Sequence, residues 1–234
     1  MPSPAARQTT PVTAPPVAEK RPRGRPRKTA DERDDGNRRV DLVNAAARLF
    51  HKKGFDGTST RDIAAAVGMH SGSPFYHFKS KGALLYAVMD EGMRSAQARQ
   101  TSALAAAPSG AGPAALLRVL IRNHFDVLLG PGSDFIPVML YEARSITARQ
   151  RTLLARLQSD YESVWVPVLA ALATQGRLKG PVKLARLLVF GALNWSVQWF
   201  DPKKPASLDD LTDAAMALFI GEALPAAAAK KARA

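Results

Sequence analysis

"TSTRDIAAAVGMHSGSPFYHFKSKGALL", residues 58–85, is the stretch on which the fold of this 234-residue chain turns. It holds two short helical patterns separated by "GMH", followed by the start of a longer one. Ser59 stands three residues before Asp62, the spacing of a capping box, and Ile63, Ala64 and Val67 fall on one face. Gly68 closes that helix, because glycine accepts the left-handed conformation that ends one. In "SGSPFYHF" Ser71 is the N-cap and Pro74 lies in the first turn, where a missing N–H does no harm. Ser80 caps the long helix that follows.

Working outward, "RRVDLVNAAARLFHKKG" (38–54) places Val43, Ala46, Ala47 and Phe50 at helical spacing, widened by Leu42 and Leu49, and ends at Gly54. Beyond the break "AAAPSGAGP", helices are expected over 113–129, 134–144, 147–175, 181–200 and 207–223. Ser207 and Asp210 repeat the capping-box spacing, while Pro137 and Pro167 should kink or divide the helices that contain them. No alternating strand pattern of useful length occurs, so the fold is all-α. Four parts follow: an arm (1–37), a three-helix block (38–90), a larger helical domain (91–224) and a frayed tail (225–234).

Two short helices joined by a tight turn, with a first helix packed over them, describe a helix-turn-helix. The N-terminal residues of its second helix meet base edges in the major groove. Here those are His70, Ser71, Ser73, Phe75, Tyr76 and His77, followed by Lys79 and Lys81 where the next helix dipole also favours phosphate. Thr60 and Arg61 open the first helix of the pair.

The stretch resembles the signature of TetR-family transcriptional regulators, with its Thr-rich helix start, Ile-Ala, and Tyr-x-His-Phe-x-x-Lys. The likeness covers residues 38–90. It implies that Thr60 and Arg61 touch backbone or base and that Ser71 and Ser73 enter the groove. Tyr76 and His77 would contact phosphate or base, and Lys81 would hold a phosphate. Phe78 would lock the recognition helix from inside. Phe75 stands where the family usually has tyrosine, and Pro74 replaces an aliphatic residue. Both departures bear on which operator is read rather than on whether DNA is bound.

The arm carries "RPRGRPRK" (21–28), five cations with no acid. "PRGRP" looks like the core of an AT-hook: Gly24 lets the backbone approach the floor of an A·T-rich minor groove, and Arg23 and Arg25 enter it. The other reading is a generic basic tail, which would still tighten binding through counterion release. Having few apolar side chains, the arm should be disordered alone. The spacer from Thr29 to Asn37 would reach at most about 30 Å at ~3.3 Å per residue. Across the chain 33 cations face 20 acids, a formal charge of +13 that favours an anionic partner.

For the helical domain the resemblance implies a ligand pocket and a two-fold homodimer interface made by the last two helices. Leu184, Leu187, Leu188, Gly191, Trp195, Leu211, Ala215 and Leu218 are the interface candidates. The segment 190–224, with Asn194-Trp195, Trp199-Phe200 and a Pro/Lys turn, is similar to TetR-like regulators that sense acyl-CoA thioesters, and "YEARSITARQR" has the same character. Such an effector needs an apolar tunnel and cations. Phe125, Met139, Glu142, Arg144, Trp165, Asn194 and Trp195 are the candidate lining, and Arg144, Arg149, Arg151 and Arg177 the candidate phosphate partners.

Catalysis finds no support in the sequence. There are no cysteines, and the four histidines (His51, His70, His77 and His124) lack metal-ligand spacing. Neither a nucleophilic triad nor a phosphate loop occurs. The most apolar segment is broken by Arg186, Asn194 and Gln198, so no membrane span or signal peptide is expected. A cytoplasmic, nucleoid-associated regulator of double-stranded DNA, without metal or cofactor, is the expectation. An architectural protein acting through its arm and a regulator without small ligand are the rivals.

Overall fold

The computed structural model describes residues 30–69 and 74–223, with side chains from 37 onward and, beyond the gap, from 76 onward. Ten α-helices and two 3₁₀ turns make up the described residues, with no strand among them.

The first four helices are α1 (Ala30–Lys53), α2 (Thr60–Ala66), α3 (Pro74–His77) and α4 (Lys81–Ala105). The start of α1 corrects the sequence reading, which placed residues 30–37 in an extended spacer. "ADERDD" puts four acids into the first two turns, where the positive end of the helix dipole favours them, and alanine, glutamate and arginine all propagate a helix well. The reach of about 30 Å for an extended spacer therefore does not apply, since its residues are wound into α1.

Leu42, Val43, Ala46, Ala47 and Phe50 of α1 are buried against Ile63 and Ala64 of α2, Phe78, and Leu84, Leu85 and Val88 of α4. The α1–α2 turn is tied from within: the Thr58 hydroxyl donates to the carbonyls of Gly54 (2.8 Å) and Leu49 (3.1 Å). A side chain at Gly57 would meet the Lys53 carbonyl at 2.3 Å, so glycine is required there. Both expected caps form, Ser59 with Asp62 in a full capping box and Ser80 accepting from the Ala83 amide.

The 25-residue α4 runs out of this block into the helical domain. There it packs on α5 (Pro113–Leu129), α6 (Phe135–Glu142) and α7 (Ala148–Ser163). The expected helix 147–175 is two, α7 and α8 (Trp165–Thr174), divided at Val164. Pro167 lies in the first turn of α8, where no intrahelical N–H is needed. Pro137 likewise opens α6 and kinks nothing. The 3₁₀ turn Ala143–Ser145 follows α6. α9 (Val182–Trp195) gives way to the 3₁₀ turn Ser196–Gln198, and α10 (Leu208–Ile220) starts at the Ser207–Asp210 capping box and ends at Gly221, φ 64°. Arg118 and Arg122 of α5 hold α10 through Asp213 and Asp209.

α9 is apolar on both sides. Ala185, Val189, Phe190 and Leu193 are buried, while Leu184, Leu187, Leu188 and Trp195 are exposed, as is Leu218 of α10. A helix apolar all round ordinarily belongs in an interior.

Candidate nucleic-acid interface and internal cavity

α2 and α3 form the expected helix pair, and the side chains after α3's first turn point two ways. Tyr76 is 82% exposed, its ring edge-on to His77 at 5.3 Å between centroids. Phe78 is buried beneath them, with the Arg39 guanidinium 5.1 Å from its ring. Arg61 and Lys79 are exposed and Thr60 is half-buried. A rim of tyrosine, imidazole and cations over an apolar anchor can meet base edges and phosphates together. His70, Ser71, Ser73 and the arm residues Arg23, Gly24 and Arg25 lie outside the described residues, and Phe75 is placed by its backbone alone.

Lys81 departs from its expected place at a phosphate. Its ammonium donates to the carbonyls of Phe55 (2.8 Å) and Thr58 (3.0 Å) and sits 4.1 Å from the centre of the Phe55 ring. Two carbonyls and a π-face hold the ammonium in place, so it pins the start of α4 to the α1–α2 turn.

Where α4, α5, α6, α7 and α9 converge they form a small cavity of about 30 Å³. Met93, Ala96, Val127, Ile136, Met139, Leu140 and Phe190 give it apolar walls, and His124, Gln158, Tyr161, Glu162 and Asn194 supply polar groups. His124 is surrounded by aromatic rings, edge-on to Phe190 at 5.3 Å and Trp165 at 5.8 Å and tilted against Tyr161 at 5.8 Å. Its Nδ1 lies 3.0 Å from the Tyr161 hydroxyl and its Nε2 3.1 Å from Asn194 Oδ1. Burial removes the water that would solvate an imidazolium and pushes the His124 pKa down to about 4, against a smaller opposing effect from Asn194. The same burial pushes the Tyr161 phenol up, so it stays protonated. Glu162 is satisfied by Arg186 at Oε2 and by the Gln158 amide at Oε1, 3.0 Å away. Behind this wall, Trp165 Nε1 donates to Gln100 Oε1 at 2.8 Å.

Only part of the expected lining is here. Met139 and Asn194 face the cavity. Trp165 is fully buried behind it in the aromatic cluster. Phe125 instead borders an apolar groove between α9 and α10, and Trp195 is exposed on the outer side of α9. Arg144, Arg149 and Arg151 are exposed and Arg177 half-buried, and none of the four lines the cavity. Glu142 accepts from the Phe55 amide at 2.8 Å, which places it between the two domains. Sequence reading saw in His124 only a histidine without metal-ligand spacing and placed none of Gln158, Tyr161, Glu162 and Arg186 in a site. The one available signal was a polar residue on an otherwise apolar face, since the partners come from helices far apart in the chain.

α6 joins cavity to interface. Three of its side chains line the cavity, while both ends reach the three-helix block: Asp134 holds His51 at 2.8 Å, and Glu142 holds the Phe55 amide. It also lies close on α4, where a Cβ added to Gly92 would come within 2.6 Å of the Phe135 Cβ. A larger cleft of about 500 Å³ opens between α1, α3 and α4, bordered by Arg39, His77, Asp90, Glu91 and Arg94. Its Arg94 is paired with Asp90 at 2.7 Å, whereas the junction of five helices presents mostly apolar walls with a few converging polar groups, the usual make-up of a small-molecule site.

Of the interface candidates on α9 and α10, Leu184, Leu187, Leu188, Gly191, Trp195 and Leu218 are exposed and available to a second surface. Leu211 and Ala215 differ: they are buried within the chain, where α10 packs on α5. Among the described residues no helix is long and apolar enough to cross a membrane, and no group of three acids or histidines could hold a metal ion.

Comparison with known proteins bears on both halves. Residues 42–88 match the family described as "Bacterial regulatory proteins, tetR family", and residues 110–222 match "Tetracyclin repressor-like, C-terminal domain". An AT hook motif matches residues 20–32. The HTH-type transcriptional repressor KstR2 of Rhodococcus jostii (strain RHA1) is 27% identical over 184 residues, 76% of this chain and 87% of that protein. The crystal structure of the superantigen PfiT is 33% identical with a TM-score of 0.66, covering 79% of this chain and 97% of that one. AibR, crystallised with isovaleryl coenzyme A and operator DNA, is 22% identical with a TM-score of 0.72, covering 80% of this chain and all 100% of its own, a likeness of fold.

Proposed function

The chain belongs to the TetR family of bacterial regulatory proteins, and from that premise we propose that it is a ligand-released repressor. It binds a palindromic operator as a homodimer and responds to an acyl-CoA thioester. Members of this family are regulators of transcription, not enzymes.

The observation that carries DNA reading is the division at α3, with Tyr76 and its neighbours projecting outward while Phe78 is fixed in the core. Tyr76, His77 and Arg61 read the operator, with Lys79 on the backbone. The unpartnered apolar face of α9 and α10 supports dimerisation, which sets two recognition helices a helical turn, or a multiple of one, apart. A cavity of about 30 Å³ holds no more than a water, so an acyl chain has to part its walls. The movable wall is α6, and its ends carry the displacement to His51 and Phe55. Operator affinity then falls by the ligand's differential affinity for the two states. The naming of KstR2 as a repressor and the AibR complex with an acyl-CoA support this reading.

The match to an AT hook motif favours a second reading, an architectural protein that coats A·T-rich DNA through its arm. Competitive binding decides between them. The protein is titrated onto the intergenic DNA beside its own gene, with unrelated A·T-rich duplex as competitor, in full length and starting at Ala30, where α1 begins. The regulator reading expects one discrete palindromic site retained by both forms, held more weakly by the shorter, and released by acyl-CoA. Equal competition, with binding abolished by truncation, sinks it in favour of the arm.

A further inference from the structure

Direction in the buried hydrogen bonds is set by chemistry. A neutral imidazole has one N–H and one lone pair, and Tyr161 is a protonated phenol whose hydrogen needs an acceptor in a dry interior. If Tyr161 donates to His124 Nδ1, then Nε2 carries the ring hydrogen and donates to Asn194 Oδ1. In the opposite direction the Tyr161 hydrogen would be left with the Asn123 side chain, which lowers the phenol's pKa and so faces it with its NH₂, a donor and not an acceptor. Tyr161 to His124 to Asn194 is therefore a one-way chain that ends by occupying the amide oxygen.

What the chain leaves over is the Asn194 NH₂. It has no hydrogen-bond partner among the described residues, and Asn194 lines the cavity. On the same wall His124 and Tyr161 are committed to each other, and Glu162 to Arg186 and to the Gln158 NH₂. Arg186 is spent on Glu162, and no cation is among the described residues that line the cavity, so a ligand carboxylate would be desolvated there without a direct partner. A neutral acceptor on an apolar ligand suits the site.

We propose that the Asn194 amide is the specificity element of the effector cavity, held by Tyr161 and His124 so that it donates to the thioester carbonyl of an acyl-CoA whose chain lies against Met93, Ile136, Met139 and Leu140. This rests on the acyl-CoA reading above. It adds that the carbonyl oxygen is read, and by which group. A site built to donate to an acceptor discriminates strongly against analogues without one, because the donor is then buried unpaired.

The test compares three probes in calorimetric titrations of the full-length protein. These are acyl-CoA thioesters from isovaleryl to hexadecanoyl, the matching S-alkyl-CoA thioethers in which CH₂ replaces the carbonyl, and the free acids. The expected result is thioester binding about tenfold or more tighter than thioether, with the free acid weakest. In Asn194→Asp, which keeps an oxygen for His124 but lacks the NH₂, that preference disappears. A ¹³C-labelled thioester carbonyl bound to the wild type should show an infrared stretch lowered by hydrogen bonding, a readout that needs no variant to fold. Equal affinity for thioester and thioether, an unshifted stretch, or a preference surviving in Asn194→Asp overturns the role of Asn194 and leaves the acyl-CoA reading intact. Binding of no thioester overturns both.

Discussion

The three-helix block and the cavity region spend their polar groups in opposite ways. In the block, hydrogen-bonding side chains sit at helix ends and turns, as Ser59 with Asp62, Ser80 with the Ala83 amide, and Thr58 with two turn carbonyls. The interior is left to Phe50, Ile63, Phe78 and Leu85. In the helical domain the polar groups lie at the centre, with His124, Tyr161, Asn194, Gln100 and Glu162 bonded across four helices. An apolar core with capped ends is rigid and presents a fixed rim, which suits reading a DNA groove. A buried polar network is satisfied in one arrangement and costly to disturb, which suits a state that a ligand must displace.

Phe78→Ala breaks the first half of that contrast with the largest expected effect. Removing a buried aromatic that anchors the recognition helix should cost about 3–5 kcal/mol in denaturant unfolding. Operator binding should vanish with it, although Phe78 touches no DNA. Operator binding that persists unchanged would mean α3 is held by something other than its buried anchor.

Acid breaks the second half. The folded pKa of His124 lies near 4 against an ordinary 6.5, so the unfolded chain takes up the proton first. The stability that His124 draws from being neutral is complete above pH 6.5. It is lost as pH falls from there towards 4, by about 3 kcal/mol at 1.36 kcal/mol per pKa unit. Denaturant titrations across that range should show the loss in the wild type, and His124→Gln should flatten it. An equal slope in both would place the acid sensitivity elsewhere.

The rim gives a smaller and differently distributed effect. Tyr76→Ala should leave stability within about 0.5 kcal/mol, as expected for an exposed side chain. Operator affinity should weaken by about 1–3 kcal/mol, measured by fluorescence anisotropy against a scrambled site. Equal weakening on both DNAs would recast Tyr76 as a backbone contact.

These regions also differ in how far they could be read before folding. Ser59, Asp62, Gly68 and Ser80 act through neighbours a few residues away, so spacing along the chain carries their roles. Lys81 shows the limit of that reading: a lysine at a helix start points to phosphate, but its carbonyl partners at Phe55 and Thr58 are set by how α4 crosses the α1–α2 turn. The cavity was read least well. Asn194 and His124 are 70 positions apart, and Glu162 and Arg186 are 24. Apolar periodicity shows that α5, α7 and α9 are packed, whereas the azimuth of each helix in the bundle decides which polar residue meets which. The same uncertainty sent Phe125 and Trp195 to the wrong side of their helices and Glu142 into a pocket it does not line.

Glu142→Ala tests whether the two regions communicate through α6, and its expected effect is the smallest. The carboxylate accepts from the Phe55 amide at 2.8 Å and also caps the Ser145 hydroxyl at 3.4 Å. Losing a part-buried acceptor for a backbone N–H should cost about 1 kcal/mol of stability. Glu142→Gln keeps an oxygen in place and should recover most of it. The informative quantity is the coupling, the ratio of operator affinities with and without effector. Glu142 lines neither the cavity nor the recognition helix, so each ligand alone should bind nearly as in the wild type. If α6 transmits through its ends, the ratio shrinks in Glu142→Ala and is restored in Glu142→Gln. The effector's own affinity must then become less sensitive to operator by the same factor, because coupling is reciprocal. A ratio unchanged in Glu142→Ala would leave the His51–Asp134 pair and the close contact of α4 with α6 at Gly92 as the route between cavity and DNA.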